Sequence, residues 1–375
     1  MIIHSDDEHF DEQFPLAALD DHMVHQTPDP IRVVATTDPR FFERYWFVCH
    51  DDAGELMLAT GGSFYPNLDL AEAYAIVTHK GVQRSVRAFR RLGTDRTQMR
   101  NGPLAPSIVR GMREWRLLLD PNDWDIAFDL NWKDTRRQIF HAAYGSLDGS
   151  PPAGRQRDVT AGFEGFGVMQ GWVEVDGRRI EVTPGNFRGT RDRHWGVGRG
   201  VGGPNLQFGR KHKAGWIGGN WISFGDFSIW GNNVMYGFGD ARPGMGKVVR
   251  AERRLRFEED THIFLEGEID YTLRDGSVKR VQFRRLGHQT AYMRCGMYGG
   301  TPDKSIYQGA WVGGDTVEGD CYDLTQADVR RQLCGLNEHH CEIRCDGEVA
   351  TGILQPLEPD AWEACSQGRP GWSFL

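Results

Sequence analysis

The sequence predicts a mainly β fold of antiparallel barrel or sandwich domains, and three observations predict it. Turn chemistry recurs between short runs in which apolar and polar residues alternate, the signature of half-buried antiparallel strands. Helical periodicity is scarce. The 47 glycines, 20 phenylalanines and 12 tryptophans suit tight turns and strands. At 375 residues the chain exceeds the usual size of one hydrophobic core, so two domains are expected.

Taken in order, residues 1–39 read as an N-terminal extension. Its group His4, Asp6, Asp7, Glu8 and His9 reads as a solvated polar tail, and Leu16–Met23 reads as helical. A first domain over 40–200 opens with the turn Asp51-Asp52-Ala53-Gly54 before the alternating run Glu55–Ala59. Gly61–Tyr74 follows, suited to a strand end opening at a pocket mouth, and a short helix is expected near Ser107–Arg113. Ser146–Arg157, rich in Pro and Gly, is a linker candidate, with a long loop as the alternative. Asp176-Gly177 marks a hairpin, because both residues accept the positive φ of a type I′ turn. The second domain, 201–375, carries the aromatic stretch Gly215–Trp230, a hairpin at Asp275-Gly276 and a helix over Thr325–Leu333 with Thr325 as N-cap. Phe89-Arg-Arg-Leu-Gly93 recurs as Phe283-Arg-Arg-Leu-Gly287, a weak internal echo at the ends of two strands.

Several function classes lack their signatures. A formal net charge of −8 with no long basic block gives no footprint for nucleic acid. The seven scattered cysteines do not form paired short knuckles, and the intervals among Cys334, Cys341 and Cys345 around His339 and His340 do not fit a structural zinc site. The N-terminus lacks the basic and apolar regions of a secretory signal, and no run of apolar residues is long enough to span a membrane. A soluble, cytoplasmic protein is expected. Gly198–Gly203 has Gly-x-Gly-x-x-Gly spacing, but Pro204 follows and no helix opens there, so it reads as a loop. No metal and no cofactor are expected.

The costliest segment is Asn186–Gly200, above all Arg191-Asp192-Arg193-His194-Trp195-Gly196. In an extended strand Asp192 and His194 share one face, while Arg191, Arg193 and Trp195 share the other. An acid beside an imidazole is a proton-transfer pair. Whether Asp192 acts as a protonated acid or as a base depends on whether Arg191, Arg193 or Arg199 turns into its pocket. Tyr65, Glu72 and Glu164 add a hydroxyl and carboxylates. Trp216, Trp221, Phe224 and Trp230 form a candidate aromatic wall, which together with Trp195 suits an apolar ligand.

The run Arg191–Gly196, after Gly189 and a strand hairpin, resembles the Asp-His-x-Trp-Gly-type signature of the hydroxyneurosporene synthase (carotenoid 1,2-hydratase)-like superfamily, which includes the AttH-like proteins. Here the His falls two places after the Asp, with Arg193 between. The resemblance covers roughly 40–355 and implies two lipocalin-like β-domains in tandem, the motif near the inter-domain face, and an apolar cavity. It implies a cofactor-free hydratase, isomerase or cyclase acting on a terpenoid-, steroid- or polyketide-like small molecule, with Asp192 and His194 catalytic. A non-catalytic hydrophobic-ligand-binding protein is the alternative, in which the charged motif locks the two domains together. A glycoside-active β-protein using two carboxylates among Glu72, Glu164 and Asp192 is a further one.

Overall fold

Aspartates and glycines make the reversals on which the fold depends. In the computed structural model, which describes residues 16–135, 138–143, 160–198, 201–202, 220–224, 227–230, 234–237, 248–273, 275–298 and 306–356, Asp176 and Gly177 sit at φ 54° and 66°. Asp346 and Gly347 repeat this at 50° and 83°, the left-handed pair of a type I′ turn. Asp51 works differently: its Oδ1 accepts the N–H groups of Gly54, Glu55 and Leu56 at 3.0, 3.0 and 3.1 Å.

These turns join β1 (Phe41–Asp51), β2 (Leu56–Tyr65), β3 (Leu70–His79), β4 (Val82–Arg91), β5 (Ser107–Arg110), β6 (Glu114–Leu119), β7 (Ile126–Asp134), β8 (Ile139–Ala143), β9 (Thr160–Val175), β10 (Arg178–Val182) and β11 (Phe187–Val197). The chain continues through β12 (Asn220–Phe224), β13 (Phe227–Trp230), β14 (Val234–Gly237), β15 (Val248–Phe257), β16 (Phe264–Leu273), β17 (Val278–Tyr292), β18 (Thr316–Asp323), helix α1 (Ala327–Leu333), β19 (Asn337–Cys345) and β20 (Glu348–Leu354). The first sheet has 12 strands in the order β18-β4-β3-β2-β1-β11-β9-β7-β6-β5, with β8 and β10 also paired to β9. The second has eight, ordered β14-β13-β12-β20-β19-β17-β16-β15. The fold is mainly β and antiparallel, and among the described residues neither strand order closes into a barrel. Thr316–Asp323 of the sequence's second half pairs with β4 in the first sheet.

Strand β1 is buried on both faces. Its odd residues Tyr45, Phe47 and Cys49 enter a core with Trp115, Trp132 and Met169. Its even residues Trp46 and Val48 enter a second core with Tyr74, Tyr292, Met293 and Leu336, which lies between the sheets. Each such large side chain removed from water contributes about 1.5–3 kcal/mol. Polar ties fix the contact: Thr78 Oγ1 donates to Thr290 O at 3.0 Å, and the Tyr292 N–H donates to Gln83 Oε1 at 2.8 Å.

Four local expectations are corrected. Ser107–Arg110 is an edge strand, not part of a helix; β-branched Ile108 and Val109 favour extended backbone, and β6 offers a pairing edge. Leu16–Met23 contains only the 3-10 turn Ala18–Asp21. Helix α1 has Gln326 as its N-cap, because Thr325 is itself held by the Asp323 carboxylate, its N–H donating at 2.9 Å. The second member of the echo, Phe283–Gly287, lies inside β17 at a register break rather than at a strand end. The linker candidate 146–157 lies outside the described residues, as do His4 to His9. Among the described residues no helix is long and apolar enough to cross a membrane.

Candidate functional site

Antiparallel register places directly opposed residues on one face, and two such rows cross the first sheet side by side. One runs Arg87, Tyr74, Gly61, Trp46, Asp192, Glu164 through β4, β3, β2, β1, β11 and β9. The other runs Phe89, Glu72, Ser63, Arg44, His194, Gly162 across the same strands. Both rows face the core shared with the second sheet, since Trp46 and Tyr74 belong to it. Gly162 is required here, because a Cβ on it would collide with the His194 ring.

His194 lies between two carboxylates, with Nδ1 3.2 Å from Asp192 Oδ1 and Nε2 3.4 Å from Glu164 Oε1. Arg44 closes the row: its Nη2 is 4.0 Å from Asp192 Oδ2, and its Nη1 donates to the Tyr298 hydroxyl at 3.4 Å. Asp192, His194, Glu164 and Arg44 are 5, 2, 2 and 3 % exposed. Burial works against the charge on Arg44, yet Tyr298 and Asp192 together hold it above its ordinary value. At the far end of the second row Tyr65 OH donates to Glu72 Oε1, and the Gly309 N–H donates to Oε2 at 3.2 Å. Burial pushes Glu72 up to about 8 against the pull of those two bonds and Arg44. Desolvation also pushes the Tyr65 and Tyr74 hydroxyls well up. From the second sheet, Glu338 on β19 is fully buried and bonded to Gln355. Burial, followed by the negative charge of Asp192, pushes it to about 8, against the Gln355 bond.

Glu164, Asp192 and His194 hold ligand-type atoms within 4.8 Å of one another, a spacing compatible with a cation. Both imidazole nitrogens face carboxylates, and Arg44 supplies a positive charge beside them.

The structure brings together Asp192, His194 and Glu164, with Glu72 on β3, three strands from β11 in the row of His194, and Tyr65 on β2 bonded to it. It sets the remaining motif residues on the opposite face. Arg191 donates from Nε to Asp134 Oδ1 at 2.9 Å and from Nη2 to Oδ2 at 2.7 Å, and lies 5.1 Å from the Phe163 ring centroid. Arg193 bonds Glu43 at 3.2 Å, and Trp195 packs edge-on to Phe163. Arg193 also lines a cavity of about 320 Å³ with Tyr45, Phe64, Met99 and Trp115, under Leu19 and Ile31. Arg199 and Trp216 lie outside the described residues; Trp221, Phe224 and Trp230 are placed only as backbone in β12 and β13, where Trp221 opposes Trp230. Sequence reasoning missed Arg44, Tyr298 and Glu338, and reached Tyr74 only as the end of the segment Gly61–Tyr74. A signal existed for two of them: Arg44 is a charge inside an aromatic strand, and Glu338 stands second in the polar run Asn337–His340 of a strand that is buried throughout its first five positions.

A family model described as "Family of unknown function (DUF8625)" matches residues 16–240. Among curated proteins none matches. Two solved structures are similar at low identity. One is a protein of Nitrosomonas europaea provisionally assigned as AttH, at 13 % identity and TM-score 0.44 over 85 % of this chain and 92 % of that one. The other is kievitone hydratase from Nectria haematococca, at 10 % identity and TM-score 0.40 over 83 % and 86 %.

Proposed function

The chain belongs to this family of unknown function, whose description assigns no chemistry, and we propose from the site itself that it is a proton-transfer enzyme. Its reaction is a hydration, isomerisation or cyclisation of an apolar terpenoid-, steroid- or polyketide-like molecule, with Asp192 as the acid/base and His194 passing protons between Asp192 and Glu164. The observation that carries this reading is the imidazole held between two carboxylates, all nine-tenths buried and facing Arg44. Burying an ion costs several kcal/mol even after relaxation, and a β core can be filled with apolar groups at no such cost. Clusters of this kind concentrate at functional sites. An apolar substrate needs such a group, because alkene and enol chemistry advances by placing and removing protons. The aromatic residues Trp221, Phe224 and Trp230 are assigned to its binding surface.

The burial of the relay also favours a second reading, in which it locks the two sheets together around a bound hydrophobic ligand without turnover. Asp192→Asn separates the two. The amide keeps size and hydrogen bonding but cannot carry the proton. In the enzyme it lowers turnover by about 10²-fold or more, with the thermal midpoint nearly unchanged. Under the lock reading it destabilises by about 3–5 kcal/mol, as breaking a buried pair does. Turnover is followed by mass spectrometry on a panel of isoprenoid, steroid, aromatic and oligosaccharide compounds, with tryptophan fluorescence reporting binding. A saturable response to oligosaccharides alone would overturn the apolar assignment.

A further inference from the structure

The relay supplies one half of acid/base chemistry. Adding water across a double bond needs two groups, one to give a proton to carbon and one to take a proton from the water. Asp192 has Arg44 Nη2 4.0 Å from its Oδ2 and His194 Nδ1 3.2 Å from its Oδ1, a setting that favours a carboxylate and suits it to the second task. The first needs a carboxylic acid that stays protonated, is aimed at the same space, and has a free oxygen. Two carboxyls on this face are held neutral by burial, Glu72 and Glu338. Glu72 has both oxygens engaged, one by Tyr65 and one by the Gly309 N–H. Glu338 has only Oε1 engaged, by Gln355. Its Oε2 is buried with no hydrogen-bond partner among the described residues.

Strand register places Glu338 on the face of β19 that meets the first sheet. Glu338 opposes Ala291 on β17, and Ala291 lies in the core shared with Trp46 and Tyr74. His340, two residues along β19 and on the same face, packs against His50 of β1 with ring centroids 4.4 Å apart and the rings tilted by 44°. Strand β19 therefore lies face to face with β1, and Glu338 meets the first sheet further toward Trp46, the residue opposite Asp192.

We propose that Glu338 is the proton donor of this site, so that the acid comes from the second sheet and the base from the first. This rests on the proton-transfer reading above. In a hydration, the Oε2–H bond of Glu338 breaks and a C–H bond forms at one alkene carbon. The oxygen of a water molecule bonds to the other carbon, and one of its protons goes to Asp192. Transfer of that proton to Glu338 restores both groups, and the product has gained one H and one OH. Neither carboxylate alone completes the cycle, and the two are supplied by different sheets.

The test pairs infrared spectroscopy of protein carrying ¹³C-labelled glutamate with mass-spectrometric assay of water addition to geranylacetone and cholesterol, one acyclic and one polycyclic alkene. The expected result is protonated-carboxyl absorption at pH 7 from Glu72 and Glu338, of which the component lost in Glu338→Gln, with that of Glu72 retained, titrates at lower pH in Asp192→Asn, since the neighbouring charge has been removed. Glu338→Gln lowers hydration by about 10²-fold or more, and Glu338→Asp, which keeps the acid, recovers part of it. Coupling of its titration to Asp192 shows that the two carboxyls share one space, and recovery by Glu338→Asp but not by Glu338→Gln separates a donor from a structural residue. Absence of the Glu338 component, or a midpoint unmoved by Asp192→Asn, overturns the proposal whatever the activity. That component with full activity in Glu338→Gln overturns the donor role and leaves the proton-transfer reading standing. That component without water addition by the unaltered protein sinks the hydration reading, and the donor role with it.

Discussion

At the scale of single residues, the site depends on a group that has no side chain. Gly162 lies directly across from His194 in the β9–β11 register, and the imidazole occupies the space a Cβ would need. Gly162→Ala must therefore tilt the ring away from one or both carboxylates. Overpacking of this kind costs about 1–3 kcal/mol, measurable by urea denaturation, and the expected outcome is a loss of turnover far larger than that stability change explains. A variant with native activity would show that the ring position is not used. The alternation of Asp192 and His194 against Arg191, Arg193 and Trp195 was legible from strand periodicity alone. The partners were not. Arg44, Tyr298 and Glu338 lie about 148, 106 and 146 residues from Asp192 along the chain, and only sheet register and sheet docking bring them to it.

At the scale of elements, β18 shows how far local reading reaches. The Asp-Gly turns gave the β9–β10 and β16–β17 hairpins, because that chemistry is contained in neighbouring residues. The sequence between β17 and β18 contains no comparable signal that the chain returns to β4, and the pairing is fixed by a distant arginine. Arg87, with a side chain 3 % exposed, donates to Asp320 at 2.5 Å, to Glu318 at 3.3 Å and to the Cys295 carbonyl at 2.8 Å. Arg87→Met leaves that carbonyl unsatisfied and two carboxylates without their cation. Breaking a fully buried pair costs about 3–5 kcal/mol. The carboxylates are about a fifth exposed, so screening by water reduces the expected loss to about 2–4 kcal/mol. Hydrogen exchange should accelerate first in Thr316–Asp323, and Asp320→Asn, which leaves Glu318 in place, should cost less. Uniform acceleration over both sheets would show that β18 is not separately anchored.

At the scale of the whole molecule, the core between the sheets holds ionisable groups in their neutral forms, and this makes docking of the sheets sensitive to pH from two sides. Burial lowers His50 to about 4 and, with the added effect of His50, lowers His340 well below its ordinary value. Between about 4 and the ordinary histidine value near 6.5 the unfolded chain binds more protons than the folded one, so stability rises with pH there and is lost as pH falls. Burial raises Glu72 and Glu338 to about 8. Between the ordinary glutamate value near 4.3 and about 8 the folded chain binds more protons, so their contribution is complete below that window and is lost as pH rises through 8. The two effects oppose one another up to about pH 6.5, and above it only the glutamates act. The thermal midpoint should therefore fall steadily from about pH 6.5 to 8.5. Glu72→Gln with Glu338→Gln should flatten that fall, since neither amide titrates, while His50→Asn with His340→Asn should change only the acid side. A midpoint constant across pH 6.5–8.5 in the unaltered protein would show that these two glutamates are not neutral in the folded state, and the acid assigned to the second sheet would be lost with them.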